Sequence, residues 1–340
     1  MSEAKRLAAA DMDIAAQAAK PAGRGLTMRT KAGIGLVVVA LFVPLFTNEY
    51  SQYVVNLALV YVLVTVGFNI AIGTLGQLAF CNVALFGIGA YTTGILMYHF
   101  HWPFWVALVP SGIAGAAAGF LASVPALRGI RALYLAIMTL AFGELMRWVY
   151  IHAETVTLGS GGMPVPTPTF FTMSIHSPFA KFYVFLGIVV LVVTGTSNLL
   201  RSRIGRAIVA IKNNELAAAS LGMATSRYIV LAFVWSGCIV GIAGSMFAIL
   251  IGRVVPESFN LVELIQHFAM VMVGGVGSLA GAIAGAITLT WAPEMFRRFP
   301  GYEELFFGIL LVVILLFLPR GLISLLTRFV PGLAERYYRE

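Results

Sequence analysis

Charge is scarce in this chain. Of 340 residues only 11% are Asp, Glu, Lys or Arg, while 60% are hydrophobic and the mean hydropathy is +0.92. A soluble domain carries about a quarter charged residues, so the shortage excludes a water-soluble fold. Cysteine is equally sparse. Cys81 and Cys238 both lie inside apolar runs and read as small packing residues rather than a disulfide or a metal site. His-Glu-x-x-His, paired cysteines and a Ser-His-Asp set in one compartment are all missing, which removes the common hydrolytic classes. There is no Gly-x-x-x-x-Gly-Lys-Ser/Thr either. The nearest stretch, Gly274-Gly275-Val276-Gly277, lacks the lysine and the hydroxyl and sits at membrane depth, so no ATP hydrolysis is expected of this polypeptide. A cleavable leader is not visible: Met1–Lys31 is polar and basic without an apolar core, and reads as a cytoplasmic tail over residues 1–31.

Long apolar runs are what the chain does have. A span needs about 20 apolar residues, and only helices or closed barrels satisfy every backbone group in hydrocarbon. A barrel would alternate in polarity over ~10-residue segments, which these runs do not. The fold class is therefore an all-α polytopic membrane protein. Its expected spans are Ala32–Phe46, Tyr53–Ile72, Phe80–Phe100, Phe104–Val124, Leu133–Ile151, Phe182–Leu200 and Tyr228–Ile251, followed by Leu261–Trp291 and Leu305–Leu318. Leu261–Trp291 is too long for one ordinary span and is broken by Gly274–Ser278. Divided there, it brings the count to about ten, within a permease region of residues 32–320 and ahead of a tail at 321–340.

A net charge of +8 and a pI near 9.7 could point to nucleic acid. The placement of the charges points elsewhere. With the N-terminus inside, the inner loops collect Arg128, Arg131, Arg201, Arg203, Arg206, Lys212 and Arg227, and the two tails collect most of the rest. The outer side keeps Lys181, Arg253, Arg297 and Arg298. This is the positive-inside pattern. Leaving Leu261–Trp291 whole would put the C-terminal arginines outside, so the division and the charges agree. The outer loop from His152 to Ala180, rich in Gly and Pro, is expected to be irregular.

The longest inner loop between spans, residues 201–227, is rich in helix formers. Ile204, Ile208 and Ile211 recur at helical spacing and Gly222 is a natural stop. A helix over Arg206–Gly222 with one apolar face would lie on the membrane or dock into a partner's groove. Polar groups inside spans draw attention because hydrocarbon penalises them. Glu144 and Arg147, three apart, share a helix face and either bridge two helices or line a solute path. Asn69 and Gln77 flank Gly73 and Gly76, where they bond between helices or line a pore. Gln266 and His267 lie one turn into a span, His267 as an interior histidine. Gly274, Gly275 and Gly277 form either a plain turn or backbone opened to a cavity.

The inner loop resembles the cytoplasmic coupling segment of ABC-importer permeases, patterned Glu-Ala-Ala, three residues, then Gly. Glu215, Ala218, Ala219 and Gly222 follow it loosely, with the Glu-to-Gly interval one residue longer. That variant belongs to the permeases of branched-chain (hydrophobic) amino acid importers. Gly67–Leu78, Phe86–Tyr91, Pro125–Gly129, Leu133–Glu144, Pro256–Phe259 and Met272–Gly281 are similar to the same subgroup in the same order. The resemblance implies a second homologous permease, two ATP-binding cassette subunits and an extracytoplasmic solute-binding protein in a bacterial inner membrane. ATP and magnesium would be used by the partner subunits, with no cofactor bound by this chain. It also implies that Arg206, Lys212, Glu215, Ala218, Ala219 and Gly222 couple to the ATPases. Urea, short amides or aromatic carboxylates are alternative solutes within the class. An ion-coupled secondary transporter is the alternative outside it, with Glu144 as its acidic candidate, and a membrane-embedded enzyme is a third.

Overall fold

In the computed structural model the apolar runs close their backbone hydrogen bonds as helices, as hydrocarbon demands. The structure describes residues 40–130, 132–170, 173–174 and 177–296, together with Gly35 and positions 305, 308, 309, 312, 314, 316, 321 and 322. The described residues divide into two compact units between Phe46 and Thr47. In the first, Val43–Phe46 is a 3-10 turn. The end of the expected first span is thus not α-helical, because Pro44 has no N–H for the ladder. The expected tail at 1–31 and the first half of that span, Gly35 apart, lie outside the described residues, as does most of the tail at 321–340.

The second unit holds α1 (Glu49–Asn69), extended by a π-helical turn at Ile70–Thr74, then α2 (Asn82–His99), α3 (Phe104–Leu127) and α4 (Ala132–His152). After the outer-loop segment come α5 (Pro178–Arg201), two short helices α6 (Arg203–Asn213) and α7 (Glu215–Ser220), α8 (Thr225–Ile251), α9 (Leu261–Gly274) and α10 (Leu279–Phe296). Among the described residues, five helices are long and apolar enough to cross a membrane: Glu49–Thr74, Phe104–Leu127, Leu133–His152, Pro178–Arg201 and Thr225–Ile251. The break between α9 and α10 falls at Gly275–Ser278, as the sequence predicts, with Gly275 and Gly277 at φ 117° and 86°. Positions 305, 308, 309, 312, 314 and 316 of the expected last span are helical.

α1 carries polar side chains at Gln52, Asn56, Thr65 and Asn69, all buried, which hydrocarbon would penalise and a protein interior can satisfy. Val60, Leu63, Val64, Val66 and Phe68 are all buried among α5, α8, α9 and α10. α8 is the other central helix and lies against α1, α2 and α3. Its seam with α3 is backbone against backbone: a methyl group on Gly115 would overlap the Gly237 carbonyl, and one on Gly119 the Phe233 carbonyl. Small residues permit that approach where no hydrophobic force drives helices together. α4 stands at the periphery and exposes Leu133, Tyr134, Ile137, Leu145 and Trp148.

The outer-loop segment carries more order than expected. Glu154–Thr157 forms a helical turn, and Met163–Pro164 pairs antiparallel with Arg253–Val254, Met163 opposite Val254. The Thr157 hydroxyl donates to the Tyr150 carbonyl at 2.8 Å. Gly and Pro prevent long helices here, but they do not prevent short ties to the end of α4 and to the residues that follow α8.

Candidate functional site

Two short helices occupy the 201–227 loop, where the sequence predicts one. Ser202 caps α6 by accepting from the Ile204 N–H at 3.1 Å. Asn214, extended at φ −161°, stops α6 and caps α7 by accepting from the Ala217 N–H at 3.0 Å. An asparagine that bonds its own downstream backbone competes with the helix it would otherwise continue. The expected Arg206–Gly222 helix is therefore broken at Asn214. Gly222, at φ 82°, ends the second piece.

The apolar face of α6 is not bare. Ala207, Ile208 and Ile211 are buried where α6 meets α5, α8 and the π turn. From the same helix, Lys212 Nζ donates to the Gly73 carbonyl at 2.6 Å. Arg206 is exposed and donates back to the Arg201 carbonyl at 3.0 Å. On α7, Ala218 is buried while Ala219 is exposed. Leu216 and Leu221 are 82% and 84% exposed. Sequence reasoning passed over these two leucines, which sit on either side of the alanines it singled out.

Lys212 reaches a joint built around Asn69. The buried Asn69 side chain accepts from the Gly277 N–H at 2.8 Å and donates to the Ser278 carbonyl at 3.2 Å. The end of α1 is thereby clamped to the α9–α10 turn. Gly73 must lack a side chain here, since a Cβ would stand 2.4 Å from the Gly277 nitrogen. Gly274 packs on the Gly281 carbonyl, and the Leu322 N–H donates to the Val273 carbonyl at 2.7 Å. Asn69, Gly274, Gly275, Gly277 and Lys212, chosen from sequence for two separate roles, thus meet in one place. Gln77 lies just beyond the π turn, its N–H on the Ala71 carbonyl at 3.1 Å.

Two further polar groups stand apart from the joint. On α4, Arg147 Nη1 donates to Glu144 Oε2 at 3.3 Å, with the Glu144 side chain 53% exposed. The pair lies within one helix and so bridges no two helices of this chain. Glu144 itself lines a small groove together with Phe80, Leu140, Phe259, Asn260 and Leu264. Deeper in the bundle, His267 is fully buried, with Nδ1 3.1 Å from Asn82 Nδ2 and Nε2 3.2 Å from Glu263 Oε1. The Tyr61 hydroxyl donates to the same carboxylate oxygen at 2.7 Å. The interior histidine expected from sequence is there; its neighbour Gln266 is half-buried and joins neither group.

Residues 50–318 match the family described as branched-chain amino acid transport system, permease component. The high-affinity branched-chain amino acid transport system permease protein LivM of Salmonella typhimurium is 33% identical over 330 residues, covering 90% of this chain and 77% of the relative. LivH of Escherichia coli is 26% identical over 292 residues, covering 79% and 93%. The autoinducer 2 import system permease protein LsrC of an Enterobacter species is 30% identical over 281 residues, covering 78% and 75%. With its apolar helices and its match across nearly the whole bundle, the chain belongs to the family of branched-chain amino acid transport permeases, as a multi-pass protein of the inner membrane.

Proposed function

We propose that the chain is one of two homologous permease subunits of an ATP-driven importer for leucine, isoleucine or valine. In this reading ten spans place both termini in the cytoplasm, and the α6–α7 pair faces two ATP-binding cassette subunits. A solute-binding protein delivers the amino acid from outside. ATP and magnesium are used on the cassette subunits, and this chain hydrolyses nothing.

One observation carries the reading. α6 is rooted in the bundle by its buried isoleucines, while α7 presents Leu216 and Leu221 almost fully exposed. Large apolar side chains left bare outside the spans suit a helix that fits a partner's groove. Glu215, at the start of α7, lies at the edge of that contact. Glu215→Arg in the assembled importer is expected to abolish the stimulation of ATP hydrolysis by loaded binding protein. Undiminished stimulation would remove α7 from the ATPase contact.

The face of α4 that carries Glu144 and Arg147 is proposed to line the solute path against the second permease, with the groove that Glu144 lines opening on it. The similarity to an autoinducer 2 permease favours keeping the solute open within the importer class. Competition of labelled leucine uptake by valine, isoleucine, urea and short amides separates these solutes. The ion-coupled alternative finds its best residues in Glu263 and His267 rather than Glu144, since a carboxylate and a histidine inside a bundle can carry a proton. Uptake that survives deletion of the ATPases would favour it.

A further inference from the structure

A lysine at the rim of a bundle usually extends its stem over apolar surface and leaves its head in water. Lys212 is exposed overall, yet its head turns onto the end of a span. Nζ bonds the Gly73 carbonyl at 2.6 Å, and a Cβ on Gly76 would come within 2.7 Å of Lys212 Cγ. The same Nζ lies 3.4 Å from where a Cβ of Gly277 would stand. One side chain from α6 therefore touches both interrupted spans, the α1 end and the α9–α10 turn.

The surface it grips is irregular backbone. Leu75 N–H reaches five residues back to the Ile70 carbonyl at 2.9 Å, and Gln77 N–H six back to the Ala71 carbonyl at 3.1 Å. The Gly73 carbonyl belongs to the last turn, where carbonyls lose their intrahelical partners, and Lys212 supplies one. Single π turns inside helices collect at functional sites. Asn69, one turn earlier, holds Gly277 and Ser278, so a displacement of the π turn is handed on to the α9–α10 turn.

We propose that Lys212 is a positioning residue that transmits movement of the α6–α7 pair to the π turn of α1 and, through Asn69, to the α9–α10 turn. The proposal rests on the importer reading and assigns Lys212 to the inward side of the coupling element, with α7 as its outward side. A shift of α6 by about 1–2 Å, the scale of helix shifts at interfaces, either breaks the bond to Gly73 or carries the π turn along. Lys212, Gly76 and Gly277 are exposed, so water can satisfy Gly73 when the ammonium is removed, and a variant is expected to fold.

The test uses the full importer reconstituted in liposomes, with ATP hydrolysis and leucine uptake measured on the same preparation. Lys212→Met is expected to assemble, to keep ATP hydrolysis stimulated by loaded binding protein, and to lose about tenfold in leucine imported per ATP, as loss of a charge-assisted bond predicts. Lys212→Arg, which retains a donor of similar reach, is expected to recover most of that ratio. An unchanged ratio in Lys212→Met overturns the proposal. So does joint loss of hydrolysis and uptake, or failure to assemble, because either would place the residue in docking or folding. Glu215→Arg reads the docking surface separately: it removes stimulation itself, whereas Lys212→Met leaves hydrolysis intact and wastes it.

Discussion

Asn69 shows how far one residue can be read from sequence. An amide inside an apolar run, flanked by glycines, marks either an interhelical bond or a pore. The structure makes it a bond, with two hydrogen bonds to one turn. Periodicity gives no partner for such a group, because the partner lies over two hundred positions away. Lys212 is harder still. It follows the buried Ile211 on α6, so the helical pattern puts it at the border of the apolar face and leaves its direction open. Asn69→Leu keeps the branching at Cγ and removes both bonds, leaving the half-buried Ser278 carbonyl and the Gly277 N–H without this partner. The expected cost is about 1–2 kcal/mol, visible as an earlier unfolding midpoint of the purified chain in detergent. An unchanged midpoint would mean that the clamp contributes nothing to stability.

Among the elements, the spans were legible and the joints were not. The apolar runs mark the helices without saying which are central, since lipid is as apolar as a protein interior, and the excess length, the Gly-rich interruption and the charge pattern together mark the α9–α10 division. The π turn at Ile70–Thr74 left no signal in hydropathy, since Ile-Ala-Ile-Gly-Thr suits an α-helix in composition; what distinguishes it is hydrogen-bond register. The break at Asn214 was within reach, as Asn before Glu and Ala is a helix-start pattern, but the helix formers on both sides favoured one continuous helix. Asn214→Ala removes the cap of α7, at a cost of about 1 kcal/mol, and lets α6 run on through Glu215. That continuation would turn Leu216 and Leu221 away from their present direction. Capture of the ATPase subunits in a detergent pull-down is expected to weaken about fivefold, the equivalent of that energy. Equal capture would show that the direction of α7 does not matter for docking.

For the whole molecule, the periphery is as informative as the core. α4 exposes a continuous apolar face, and beside it a carboxylate with a side chain 53% exposed. Were that face turned to lipid, Glu144 would be held at a cost of about 2.5–3.5 kcal/mol near the bilayer centre on insertion scales. Arg147 relieves part of that cost, but as a partner on the same helix it cannot shield the carboxylate on the open side. A face shared with a second permease and lined by water would remove the penalty, and it would give an amino acid's ammonium a counter-charge in a groove with apolar walls at Phe80, Leu140 and Phe259. Glu144→Cys distinguishes the two settings in the assembled importer. A small, charged, membrane-impermeant thiol reagent is expected to react there and to block leucine uptake, and leucine-loaded binding protein with a non-hydrolysable nucleotide is expected to slow the reaction. Cys81, which is buried, and Cys238 are replaced by Ala in the background so that the signal belongs to position 144. A thiol that reacts only with lipid-soluble reagents would put α4 against lipid and move the solute path elsewhere in the bundle.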